Sequence, residues 1–187
     1  MTHNNISKEL SNTEKETKDI AFCTILKNRI YHGGIIAKGS GMIKQGENGK
    51  GIASRWYAKT LADRIRAITF IKHKIKFFQA DAFKVIEENS GNNNAFFFID
   101  PPYTVAGKRF YTYFDVDHEK LFYLISKIKG RFMLTYDDAE EIRQLANKYK
   151  LSFRTIPMKT THHLEKNEII ISDHFNWWEK TTSTNNN

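Results

Sequence analysis

The hydrophobic positions change rhythm partway along the chain. Residues 1–17 are polar and predict a frayed N-terminus. From Lys18 to Asn28, Ile20, Ala21, Cys23, Thr24, Ile25 and Leu26 suit a short helix, with Cys23 as a small buried side chain. Arg29 to Ser54 keeps no period, and its glycines mark loop or hairpin. Trp56 to His73 regains one. Leu61, Ile65, Ile68 and Ile71 recur every three to four residues, predicting a helix with a buried stripe and with Arg64 and Arg66 off it. After that, strands and helices alternate: strand Ile75–Ala80, helix Ala82–Glu88, turn Asn89–Asn94, strand Ala95–Ile99, helix His118–Ile128, strand Arg131–Tyr136 and helix Ala139–Lys150. Strands Ser152–Met158 and Glu168–Ser172 follow, the latter anchored by Trp177-Trp178, before a disordered tail. The unbroken apolar run Ala95–Ile99 predicts a strand buried on both faces. The alternation predicts an α/β domain with a mainly parallel sheet.

Composition narrows this picture. A length of 187 residues accommodates one sizeable core, and 13% aromatic residues argue that most of the chain folds. A single cysteine excludes a disulfide framework and a cysteine-based zinc site. No apolar run approaches membrane-spanning length, and the first residues lack the basic-then-apolar order of a secretory signal. The expectation is a soluble, cytoplasmic protein with no membrane partner.

Charge is concentrated. Lys27 to Lys76 holds twelve Lys or Arg and only two acids, Glu47 and Asp63, whereas the rest carries 17 basic and 19 acidic residues. Seven of the ten glycines fall between Gly33 and Gly51, inside the same stretch. A glycine-rich cationic segment beside a near-neutral body suits contact with a phosphate backbone, although a solvated basic face would look the same by charge alone. The segment is not a P-loop, because no Gly-Lys-Ser/Thr closes it.

The sharpest chemical feature is Asp100-Pro101-Pro102-Tyr103, directly after the strand Ala95–Ile99. Open α/β sheets bind ligands outside the carboxyl ends of their strands, where this tetrapeptide lies. An adenine exocyclic amine is a poor nucleophile because its lone pair is delocalised into the ring. A carboxylate (Asp100) and a main-chain carbonyl (Pro101) can accept its two hydrogens, drawing the nitrogen towards tetrahedral geometry. Consecutive prolines fix φ and so set these acceptors in advance. Tyr103 offers a flat face for an unstacked base. Among weaker signals, Tyr111, Tyr113 and Phe114 suit surface packing better than a base pocket. Asp137-Asp138 either borders the site or caps a helix. His118 with His162-His163 lacks further ligands at metal spacing, so no metal is expected.

These residues resemble the D12 class of DNA adenine-N6 methyltransferases over roughly Ala21 to Trp178. The resemblance rests on Asp100–Tyr103, Lys27-Asn-Arg-Ile-Tyr-His-Gly-Gly34, Ser54-Arg-Trp-Tyr57 with Leu61 to Ile65, Thr135-Tyr-Asp-Asp138, and Thr160-Thr-His-His163 followed by Glu168-Ile-Ile-Ile. It implies a Rossmann-like S-adenosylmethionine-dependent fold, with S-adenosylmethionine as methyl donor and double-stranded DNA as substrate. It further implies that Asp100, Pro101, Pro102 and Tyr103 hold the flipped adenine. Asp81, in Ala80-Asp-Ala-Phe83, matches the acidic position that contacts the cofactor's adenine, and Asp100 is also expected to lie near the cofactor. Lys27 to Tyr57 corresponds to the DNA-recognition part, with Arg29, Lys38, Lys44, Lys50 and Arg55 as expected contacts. The chain then divides into a frayed 1–17, a basic recognition segment 18–74, a catalytic part 75–178 and a tail 179–187.

One departure matters. The family carries a strand and a Phe-x-Gly-x-Gly turn that cradle the methionine part of the cofactor, yet residues 1–26 contain no glycine. Gly39-Ser-Gly41 lies in the recognition counterpart with no strand leading into it. The chain reads as the later part of such an enzyme, its sheet incomplete at the N-terminal half and the strand Ala95–Ile99 left with an unpaired edge. Three outcomes remain open: a complementing N-terminal polypeptide, coding sequence before Met1, or a DNA-binding remnant without catalysis. Methylation of another planar amine, on an RNA base or a protein glutamine, is the enzymatic alternative.

Overall fold

The computed structural model describes residues 17–36, 40–46, 49–103, 115–159 and 165–178. Expectations for the N-terminal sixteen residues, Lys38, Tyr111, Tyr113, Phe114, His162, His163 and the tail fall outside them. The chain forms two compact units, one running to Phe77 and the other starting at Phe78.

The first unit holds helix α1 (Thr17–Ile30) and helix α2 (Ala58–Ile71), joined by a segment of short 3-10 turns at His32–Gly34 and Gly51–Arg55. The irregular stretch between them is closed by one isolated bridge, Tyr31 with Met42. Ile30 and Ile43 are buried there, and Ile43 N–H donates to the Ile30 carbonyl at 2.8 Å. Gly46 is the tight point of the loop. Its φ is +65°, and a Cβ there would stand 2.1 Å from the Gly51 carbonyl, so no other residue fits without moving backbone. Cys23 is half-buried rather than buried.

Helix α2 forms where its period predicts, but its stripe is not covered. No residue of α2 is buried, and Ile65, Ile68 and Ile71 are about half exposed. The sequence carries the amphipathic pattern, and no described element packs on it.

The second unit is a four-stranded sheet with helices on one face. In chain order it contains α3 (Ala82–Asn89), β1 (Phe96–Ile99), α4 (His118–Ile125), β2 (Arg131–Asp137), α5 (Glu140–Lys148), β3 (Ser152–Lys159) and β4 (Glu165–Ser172). Spatial order is β1-β2-β4-β3. β1 and β2 pair in parallel, while β4 pairs antiparallel with both β2 and β3, so β1, β2 and β3 share one direction and β4 runs against them. The expected mainly parallel sheet is therefore a mixed one, with β4 as its reversed strand. Residues 160–164 are too few for a parallel crossover, so β3 and β4 can only return antiparallel. Pro157, which cannot donate to a ladder, sits on β3, an edge strand.

The core lies between the sheet and the helices. Phe132, Leu134 and Tyr136 of β2 and Ile169 and Ile171 of β4 pack against Ile86 of α3, Leu121, Phe122 and Ile125 of α4, and Ile142, Leu145 and Ala146 of α5. The alternation in β2 explains this directly, since every second side chain faces the helices. Helix α5 buries its residues at spacings of three and four, as an amphipathic helix must. Asp81 and Asp117 cap α3 and α4, Asp117 accepting from Lys120 N–H at 2.8 Å.

Two strand expectations need correction. Ile75–Ala80 is extended chain without ladder bonds, because β1 ends the described sheet and a lone β-prone segment does not pair with itself. Ala95–Ile99 does become a strand, but it is covered on one face only. Phe97 and Ile99 pack on the core, whereas Phe96 and Phe98 are 57% and 64% exposed. The apolar run that predicted double burial is the open face and open edge of this sheet.

Candidate functional site

The site is built at the carboxyl end of β1. Ile99 is in register with Leu134 of the parallel strand β2, both towards the core. One residue further, Asp100 and Thr135 turn to the opposite face, and the Thr135 hydroxyl donates to Asp100 Oδ1 at 2.7 Å. Asp100 is exposed, and Pro101, Pro102 and Tyr103 are half-buried. The carboxylate thus projects from the strand tip instead of entering the core.

Tyr103 is held from two sides. Its ring lies 6.1 Å from that of Tyr136, tilted by 32°, and it packs at the edge of the core. The Glu168 carboxylate and the Thr135 hydroxyl lie near its own hydroxyl. Burial pushes the Tyr103 phenol well above the ordinary tyrosine range, and the negative charges of Glu168 and Asp100 push it further. The group therefore stays neutral and can donate. Tyr136 is fully buried, its phenol raised chiefly by that burial, and its hydroxyl lies 2.6 Å from His118 Nδ1.

Asp81 lies at the entry to α3. Its Oδ1 accepts from Phe83 N–H at 2.8 Å and Lys84 N–H at 3.2 Å, so the carboxylate is oriented by the helix it caps. Asp138 does not cap the helix that follows it. The cap position of α5 is Ala139, and Asp138 instead accepts from Arg143 Nε at 2.6 Å and Nη2 at 2.8 Å. Those bonds hold the Asp138 carboxyl below the usual carboxylate range. A depressed folded-state pKa contributes stability above the unfolded value of about 3.9, which is lost as pH falls through the folded value. Asp138→Asn is expected to cost about 1 kcal/mol at pH 7, a modest figure because Arg143 is partly solvated. Urea unfolding at pH 7 and at pH 3 should show the difference from wild type shrinking at the lower pH.

The basic residues of the first unit divide into two kinds. Lys44 and Lys50 are exposed. Arg55 is half-buried and its Nη1 donates to the Tyr31 carbonyl at 3.1 Å, while the Arg29 Nε is buried without a hydrogen-bond partner among the described residues. Sequence reasoning grouped all of these as surface contacts and missed Thr135 and Glu168 as neighbours of the Asp-Pro-Pro-Tyr turn. A signal existed for Thr135: it is the one aliphatic hydroxyl residue inside Arg131–Tyr136. Glu168 carried no such mark.

A family model described as the D12 class N6 adenine-specific DNA methyltransferase matches residues 21–164. The chain belongs to that family. D12 enzymes are S-adenosylmethionine-dependent and modify DNA at the adenine N6 amine, so adenine-N6 DNA methylation is the function the family assigns here. The matched span includes Asp81, the Asp-Pro-Pro-Tyr turn and the whole basic segment. No individual curated protein matches the chain. Among the described residues of this D12 chain, no helix is long and apolar enough to cross a membrane, and no cluster of three or more His, Cys, Asp or Glu could hold a metal.

Proposed function

We propose that Asp100 to Tyr103 form the adenine site of this methyltransferase. The observation that carries this reading is the exposed carboxylate at the tip of β1, fixed by Thr135 and followed by two φ-locked prolines and a neutral, anchored tyrosine. Asp100 and the Pro101 carbonyl accept the two amine hydrogens, which localises the nitrogen lone pair. Tyr103 supports the flipped base. S-adenosylmethionine, when bound, supplies the electrophilic methyl group, with Asp81 and Asp100 as the acidic residues nearest its site. Oriented by its capping bonds, Asp81 suits contact with the cofactor's adenine.

The sheet order β1-β2-β4-β3 agrees with one half of a Rossmann-like sheet. We propose that a further segment, in this polypeptide or a separate one, pairs with the free edge of β1 and brings the glycine-rich cofactor turn. Exposed Phe96 and Phe98 beside that edge support this. The direct test is transfer of labelled methyl from S-adenosylmethionine to adenine-containing duplex DNA, read as N6-methyldeoxyadenosine after digestion. The full gene product should form it. Label on cytosine, RNA or protein in its place would overturn the reading.

The DNA contacts proposed are Arg29, Lys38, Lys44, Lys50 and Arg55, in two roles. Exposed Lys44 and Lys50 meet phosphates, while Arg55 holds the loop that carries them through its bond to the Tyr31 carbonyl. Each phosphate contact removed lowers the slope of log binding constant against log salt by about 0.9. Lys44→Ala and Lys50→Ala should each do so in anisotropy titrations without loss of melting temperature. Arg55→Ala should lower the melting temperature instead, through the unpaired Tyr31 carbonyl. A reversed pattern would reassign the two groups.

A further inference from the structure

The proposed adenine site needs its carboxylate in one orientation before the base arrives, and an exposed aspartate at a strand tip has no reason of its own to adopt one. The prolines fix the backbone after Asp100 but not its side-chain torsions. Packing does not fix them either, because the residue is exposed. The one side chain that hydrogen-bonds it among the described residues is Thr135, from the neighbouring strand, at 2.7 Å on Oδ1. Thr135 is well suited to the task. It is β-branched in a strand, so its χ1 is restricted, and its strand β2 lies between β1 and β4, with Thr135 itself opposite Ile170 of β4. Register places it one step beyond the Ile99–Leu134 pair, so its hydroxyl reaches the carboxylate without bending the strand.

We propose that Thr135 is a positioning residue for Asp100: its hydroxyl occupies Oδ1 and leaves Oδ2 as the acceptor presented to the adenine amine. The role rests on the adenine-site reading above and adds to it the group that pre-orients the acceptor. Thr135 also lies near Tyr103, the other side chain that the proposed site uses. Orientation supplied before binding acts on the reacting complex rather than on affinity.

The test compares Thr135→Val, which keeps shape and branching and removes the hydroxyl, with Thr135→Ser, which keeps the hydroxyl. In the full gene product, Thr135→Val is expected to lower kcat for methyl transfer about tenfold, with KM for DNA and cofactor little changed. Thr135→Ser should recover most of that loss. Independently of turnover, side-chain couplings of Asp100 measured by NMR should report one rotamer in wild type and Thr135→Ser and averaging in Thr135→Val. A single retained rotamer in Thr135→Val, or wild-type kcat in that variant, overturns the positioning role. Asp100→Ala separates the two levels. If it abolishes transfer while Thr135→Val behaves as wild type, only the positioning role falls; if it transfers methyl normally, the adenine-site reading falls with it.

Discussion

Replacing Asp100 by alanine should lower methyl transfer to adenine by about a thousandfold while leaving salt-dependent DNA binding nearly intact. The expectation follows from where the carboxylate sits. It projects from the end of β1 and contacts Thr135, not the core, so its removal leaves the packing of Phe97 and Ile99 unchanged. Affinity for duplex DNA comes mostly from phosphates, to which an anionic side chain contributes nothing favourable. The loss should therefore appear in kcat, with the salt slope of binding preserved. Melting temperature supplies the control for folding. Loss of DNA binding together with transfer, at unchanged stability, would mean that Asp100 serves DNA docking, and the amine-acceptor role would be withdrawn.

How far the fold could be read in advance depended on whether each signal was local. Helices α1, α3, α4 and α5 follow from patterns local to about a dozen residues, and they form close to where expected. Burial is not local. The stripe Leu61, Ile65, Ile68, Ile71 states only that α2 has an apolar face, and the structure leaves that face half exposed. The same holds for Ile75–Ala80, whose β-prone residues need a partner strand that the described sheet lacks. Strand direction was legible in one place and overlooked there: five residues between Lys159 and Glu165 force an antiparallel return.

The candidate site was easier to mark than the sheet, because its signal is contiguous. Asp100 to Tyr103 could be found from four letters and their place after an apolar run. Thr135 and Glu168 lie 35 and 65 positions beyond Asp100 and Tyr103 and reach the turn only through strand pairing. No spacing rule on one sequence yields that, although a hydroxyl inside an apolar strand is a fair hint. The charge count marked a basic segment but gave no means of separating exposed Lys44 and Lys50 from Arg55, which is bound to the Tyr31 carbonyl.

Two phenylalanines should separate sharply in stability. Phe122→Ala empties a site in α4 with no solvent exposure, in contact with Tyr136 at a ring distance of 6.1 Å, and is expected to cost about 3–5 kcal/mol. Phe98→Thr, which keeps a strand-compatible branched side chain on the open face, should cost less than about 1 kcal/mol. Urea unfolding of the two variants measures the difference. An apolar strand buried on both faces would make Phe98 as costly as Phe122, so equal losses would mean that the face is covered in solution. The contrast also bears on assembly. A side chain that contributes little to this unit's own stability, yet remains large and apolar beside an unpaired strand edge, stabilises something only when that edge is occupied. Phe98→Thr should therefore weaken association with the segment proposed to complete the sheet far more than it weakens the fold of this unit.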